Sequence, residues 1–127
     1  AFGEQLARFY FDRYGIESVC VRIGSSFPEP KDRRMLTTWL GYDDLEQLVR
    51  RAIFVPQVGC LIVYGVSANR DWWWDNEAAA ARLGYVPAQT SEPWRARIEN
   101  EQPPLPETDP VRRYQGGGFV IVGPFGD

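Results

Sequence analysis

Two short apolar runs, SVCVRIG at residues 18–24 and CLIVYGV at 60–66, constrain the fold more than any other feature. Both are rich in β-branched residues and almost free of charge, as strands inside an α/β sheet are. The first, bounded by Gly15 and Gly24, predicts a buried strand at 18–23. The second predicts one at about 60–65. A helical pattern precedes each. Phe2, Leu6, Phe9, Tyr10 and Arg13 recur at helical spacing and Gly15 follows Tyr14 as a stop, which predicts a helix over 1–14. Its apolar residues spread over more than one stripe, so it is expected to pack on two sides. In DDLEQLVRRAIFV, Leu45, Leu48, Val49, Ala52 and Ile53 share a face, Asp43 or Asp44 can cap the start, and arginines occupy the last turn. Helix, short turn and continuous strand make half of an α/β crossover unit.

Between the first strand and the second helix, residues 24–35 read as loop, with Pro28 and Pro30 blocking regular structure. After the second strand, NRDWWWDNEAAAARLGY opens with polar capping candidates, continues into an Ala-rich helical run and stops at Gly84. Beyond Pro87 the chain is rich in Pro and Gly. A short helix is expected at about 91–99, followed by an extended tail.

Composition removes several classes of function. The chain has 127 residues, at most one domain, and a net charge of -3, which leaves no basic field for nucleic acid. Of its 14 basic residues, 13 are Arg, the better residue for gripping a carboxylate. It contains no histidine, so His-based catalysis, His metal sites and Ser-His-Asp triads are excluded within these residues. Cys20 and Cys60 lie in apolar runs and read as reduced core thiols, the usual cytoplasmic state, with a disulfide between them the lesser alternative. No stretch approaches the ~18 apolar residues of a membrane span.

Four places could carry chemistry. Gly24, Ser25 and Ser26 follow a strand end, where open α/β sheets bind ligands; a turn-forming serine pair is the plainer alternative. Arg33 and Arg34 could be a solvated charge and a salt bridge, or one could clamp an anion through its planar fork. WWWDN, 72–76, suggests sugar stacking, but successive helix residues diverge by about 100°, so packing is the better reading. QGGGF, 115–119, either brings backbone close to a ligand and then presents an aromatic, or is a hinge.

The order GEQLARFYFDRYGIESVCVRIGSSFPEP, TTWLGYDDLEQLVRRAI, VYGVSAN, LGYVP resembles the second half of an extended short-chain dehydrogenase/reductase. Within that superfamily, RIGSSFPEPKDRRMLTTWL, YGVSANRDWWWDN and YQGGGF together resemble the uronate dehydrogenase family over nearly the whole chain. The fold implied is α/β: the C-terminal portion of a Rossmann-like extended short-chain dehydrogenase, with two buried strands, flanking helices and an irregular C-terminal tail.

The resemblance implies an NAD-dependent oxidation of C1 of galacturonate or glucuronate to the aldarolactone. It makes residues 1–127 a single substrate-binding portion without the N-terminal dinucleotide-binding half, with the catalytic Lys falling just before Ala1 and no catalytic residue inside the chain. On its own such a piece is expected to be inactive. Ser25 would bond a sugar hydroxyl, Arg34 would hold the uronate carboxylate and Phe119 would close the pocket. Backbone at Ile23 and Gly24 would lie against the nicotinamide end of NAD, and the tryptophans would be scaffold. The expected partners are a small-molecule sugar acid and a second copy of the chain through helix 1–14, with no metal, nucleic acid or membrane. Two alternatives stay open: a sugar-nucleotide epimerase, dehydratase or reductase of the same superfamily, or a non-catalytic binding module.

Overall fold

The computed structural model describes residues 2–114 and 117–123. In chain order the elements are α1 (Phe2–Tyr14), β1 (Ser18–Ile23), α2 (Met35–Thr38), α3 (Tyr42–Phe54), β2 (Cys60–Gly65), α4 (Glu77–Leu83), α5 (Glu92–Glu101) and α6 (Pro110–Arg113), followed by a 3-10 turn (Gly117–Ile121). β1 and β2 pair in parallel, in register from Ser18 opposite Cys60 to Ile23 opposite Gly65. A parallel pair needs a crossover, and α2 with α3 supplies it. Cys20 and Cys60 sit on these neighbouring strands as free thiols.

The core lies on one side of the pair. Leu48 of α3, Leu61 and Val63 of β2, Val58, Leu83 and Tyr85 form one buried cluster. The strands were expected to be covered on both faces. Here β2 alternates, with Leu61 and Val63 buried and Ile62 exposed between them. α1 rests against both strands, but none of its residues is buried. Ala7 and Phe11 are half-covered, while Phe2, Leu6, Phe9, Tyr10 and Tyr14 face solvent. The second of its two expected packing sides is therefore open among the described residues.

The helix stops at Gly15 and Gly84 form as the sequence predicts, both in the left-handed region at φ +68°. The starts differ. Neither Asp43 nor Asp44 caps α3. Its N-cap is Gly41, and the side chain of Gln89 accepts from the Asp43 and Asp44 amides at 3.1 and 3.3 Å. Asp44 instead is buried and accepts from Ser67 Oγ (2.6 Å), the Ala88 amide (2.8 Å) and the Gln89 amide (3.0 Å). Burial, and with it the charge of Asp44, pushes the Tyr85 hydroxyl, which donates to the Val66 carbonyl, well above the usual tyrosine range. Asn76 is the N-cap residue of α4, but its side chain makes no capping bond there. Its amide group pairs with both the N–H and the C=O of Tyr64, closing the outer edge of β2 at that residue. In the tail, where an extended path was expected, Asp109 accepts from the Val111 amide and Pro110 begins the single turn of α6.

Substituting Asp44→Ala leaves the buried Ser67 hydroxyl and the part-buried Ala88 and Gln89 amides without their acceptor and should lower the unfolding free energy by about 3 kcal/mol in a denaturant titration, with Asp44→Asn falling between. A loss below ~1 kcal/mol for Asp44→Ala would remove the carboxylate from this central role. The second expectation concerns acid. Arg22 donates to both oxygens of Glu4 (2.7 and 2.8 Å), which ties α1 to β1 and holds the Glu4 carboxyl below its usual range. A depressed carboxyl contributes stability above its unfolded pKa, near 4.5, and loses it as pH falls through the lower folded value. The stability gap between the natural chain and Glu4→Gln should therefore be present at neutral pH and close in acid; a gap unchanged down to pH ~2 would exclude the ion pair as its origin.

Candidate functional site

The backbone leaving β1 does not turn away at once. The Gly24 amide donates to the Gly65 carbonyl (3.0 Å), the Ser25 amide to the Thr38 carbonyl (2.8 Å) and the Leu40 amide back to the Ser25 carbonyl (2.9 Å). Residues 24–25 thus extend the strand alongside the end of α2, with Ser25 bridging Trp39 in parallel. A Cβ on residue 24 would lie 2.1 Å from the Thr38 carbonyl oxygen, so only glycine fits.

Ser25 is buried, 6% exposed, and its hydroxyl stands 3.0 Å from that of Thr38 and 3.2 Å from Nη1 of Arg34. The Thr38 hydroxyl donates to the Arg34 carbonyl at 3.2 Å. That leaves Ser25 to donate to Thr38 while it accepts from Arg34, because a guanidinium can only donate. Ser25 and Arg34, singled out nine residues apart, are therefore brought into direct contact.

The two adjacent arginines separate in role. Arg33 donates to the Gln102 and Glu99 carbonyls and fixes the C-terminal end of α5. Arg34 turns toward Ser25, with its guanidinium carbon 6.0 Å from the centre of the Trp73 ring. A cleft of about 740 Å³ opens beside it, lined among others by Arg34, Thr37, Trp73, Leu105, Arg112 and Gly117. The lining combines apolar and aromatic groups with three guanidinium side chains and the carboxyl side chains of Asp32, Asp71 and Glu101, which suits a small polar organic ligand.

Ile23 ends β1 half-exposed, presenting an apolar side chain at the carboxyl end of the sheet. Phe119 follows the wall residues Gly117 and Gly118 but projects into solvent, 88% exposed, and does not itself line the cleft. Gln115 and Gly116 of the QGGGF segment lie outside the described residues. Among the described residues, no three His, Cys, Asp or Glu side chains gather to hold a metal, and no helix is long and apolar enough to cross a membrane.

Two residues that sequence reasoning did not single out, Thr38 and Trp73, lie beside Ser25 and Arg34. The tryptophans were treated as helical and therefore as scaffold. They lie before α4 in a loop, where Trp74 stacks on Tyr64 and Trp73 reaches the cleft. The available signal was the run Asn69-Arg70-Asp71 ahead of them and Asp75-Asn76 behind, residues that favour loops and helix starts over a helix interior.

No protein-family model matches the chain. Over all 127 residues it is 55% identical to the uronate dehydrogenase of Pseudomonas syringae pv. tomato, of which it covers 46%. Its backbone superposes with a TM-score of 0.91 on the glucuronic acid dehydrogenase of Chromohalobacter salexigens, at 49% identity, over 96% of this chain and 46% of that one. A mutant uronate dehydrogenase from Agrobacterium tumefaciens, complexed with NAD, superposes at 0.89 with 44% identity over 99% of this chain and 47% of its own. The chain thus spans about half the length of these relatives. In sequence and in backbone it is similar to the C-terminal half of uronate dehydrogenases, which have a Rossmann-like extended short-chain dehydrogenase fold.

Proposed function

We propose that residues 1–127 form the substrate-binding portion of an NAD-dependent dehydrogenase that oxidises C1 of a hexuronate, galacturonate or glucuronate, to the aldarolactone. The observation that carries this reading is the Ser25–Arg34 contact at the carboxyl end of β1, on a backbone that matches enzymes named for uronate oxidation. When bound, NAD supplies the acceptor for the hydride leaving C1. The residues of this chain bind and orient. Arg34 holds the carboxylate through its planar donor fork. Ser25, whose proton is directed to Thr38, accepts from a sugar hydroxyl. Gly24 and Ile23 offer close backbone and an apolar surface to the nicotinamide, where α/β sheets place their ligands. Phe119, exposed in the free chain, closes over the sugar from the C-terminal segment.

The open face of α1 suits association with a second copy, and the free thiols of Cys20 and Cys60 fit a cytoplasmic setting. Sedimentation of Leu6→Glu against the natural protein tests the first point: a dimer that persists unchanged excludes this face.

The complete gene product, given NAD⁺ and either uronate, should produce reduced cofactor measurable by absorbance. Absence of signal with every uronate would overturn the reading. Arg34→Ala should raise KM for uronates roughly ten- to hundredfold, the loss of a charge-assisted pair. Residual turnover of the matching neutral hexose should hardly change. An equal effect on both substrates would take the carboxylate away from Arg34.

A further inference from the structure

Arg34 is held from more than one direction. Its guanidinium carbon lies over the Trp73 ring, and its stem runs along the backbone of Gly117, where an added Cβ would come within 3.2 Å of Cδ and 3.4 Å of Nε. Gly117 has φ +60°, a conformation that favours glycine, so the close approach is built into both chain segments. Trp73 is itself braced. It meets Trp74 edge to face, with centroids 6.1 Å apart and planes at 83°, and Trp74 stacks on Tyr64 at 4.9 Å with planes 3° apart. Tyr64 is fixed in turn: Asn76 holds its backbone, and Arg22 donates to its hydroxyl (3.0 Å) while lying over its ring. One packed path therefore runs from β2 through three aromatic rings to the guanidinium beside Ser25.

We propose that Trp73 is a positioning residue for Arg34 and thereby sets the preference of the cleft for a planar carboxylate. This rests on the reading of the cleft as a uronate site. A guanidinium on a flexible stem can turn about its last torsions and meet an anion with one donor or two. An aromatic face on one side and a glycine backbone along the stem restrict it to one plane. In that plane two N–H bonds can address a carboxylate side by side, an arrangement that a neutral hydroxymethyl group cannot use. The ring face also favours the cation electrostatically, by more in a partly dry cleft than in water. The braced Trp73–Trp74–Tyr64 stack keeps that face in place whether or not a ligand is present.

The test uses the complete gene product with Trp73→Leu and Trp73→Phe. For Trp73→Leu, KM for D-glucuronate should rise about three- to tenfold with kcat within about twofold, and Trp73→Phe should fall between it and the natural protein. The ratio of carboxylate to neutral-hexose efficiency should drop in the same order. Calorimetric binding of D-glucuronate and of D-glucose gives a readout independent of turnover, and the affinity loss should be confined to glucuronate. Glucuronate affinity unchanged within twofold, or lost equally for glucose, would overturn the proposal. If Trp73→Leu does not fold, the comparison of the natural protein with Trp73→Phe and Trp73→Tyr decides the point by the same criterion. A gene product that binds glucuronate in a Trp73-dependent way but oxidises no uronate would overturn the dehydrogenase reading and leave this inference standing. One that neither binds nor oxidises uronates would overturn both.

Discussion

The close approach of Gly24 to the Thr38 carbonyl sets the geometry of the whole open end of the sheet. With no side chain at residue 24, the strand extension and the end of α2 meet backbone to backbone, and the amides of Gly24, Ser25 and Leu40 are all satisfied there. Arg34 lies one helical turn before Thr38, whose amide donates to the Arg34 carbonyl at 3.1 Å. Fixing Thr38 against the strand therefore fixes Arg34 beside Ser25. The contact between those two side chains follows from a backbone constraint, and their own chemistry did not have to create it.

Polar groups, and not apolar contacts alone, hold the segments that frame the cleft. Asp44 gathers Ser67 and the amides of Ala88 and Gln89. Asn69 donates to the Thr37 and Trp39 carbonyls and accepts from the Ser91 amide, while the Ser91 hydroxyl donates to the Leu36 carbonyl at 2.6 Å. Among the described residues no buried side-chain nitrogen or oxygen lacks a hydrogen-bond partner. Fully satisfied networks of this kind are rigid, because each member removed strands another. The irregular stretches at 66–70 and 87–91 are thus tied by hydrogen bonds to each other and to α2 and α3.

The regular elements were legible because each has a local cause. β-branched runs bounded by glycine gave both strands to the residue, and periodic apolar positions with a glycine stop gave α1 and the end of α4. What escaped depends on partners distant in sequence. Asp44 stands at a helix start and looks like a cap, but the cap comes from Gln89, 45 residues on, which frees the carboxylate to turn inward. The side chain of Asn76 likewise looks like a cap and serves instead as a neighbour for Tyr64. The tail was read as extended because Pro and Gly dominate it, although Asp109-Pro110 is a sound start signal for the one turn that forms.

Arg33 and Arg34 show the limit of local reading most clearly. They share composition, neighbours and sequence context, and nothing within a few residues of either separates them. In the fold both lie in the turn that leads into α2, and their side chains go to different partners. One direction leads to the carbonyls ending α5, the other to Ser25 and Trp73. Carbonyl oxygens at a helix end hold Arg33 by satisfying its donors with groups that need them. Arg34 donates to the Ser25 hydroxyl and lies over the Trp73 ring. The partners of Arg33 lie 66 to 69 residues away in sequence and the ring beside Arg34 belongs to the loop before α4, so the divergence of the two side chains is a tertiary effect.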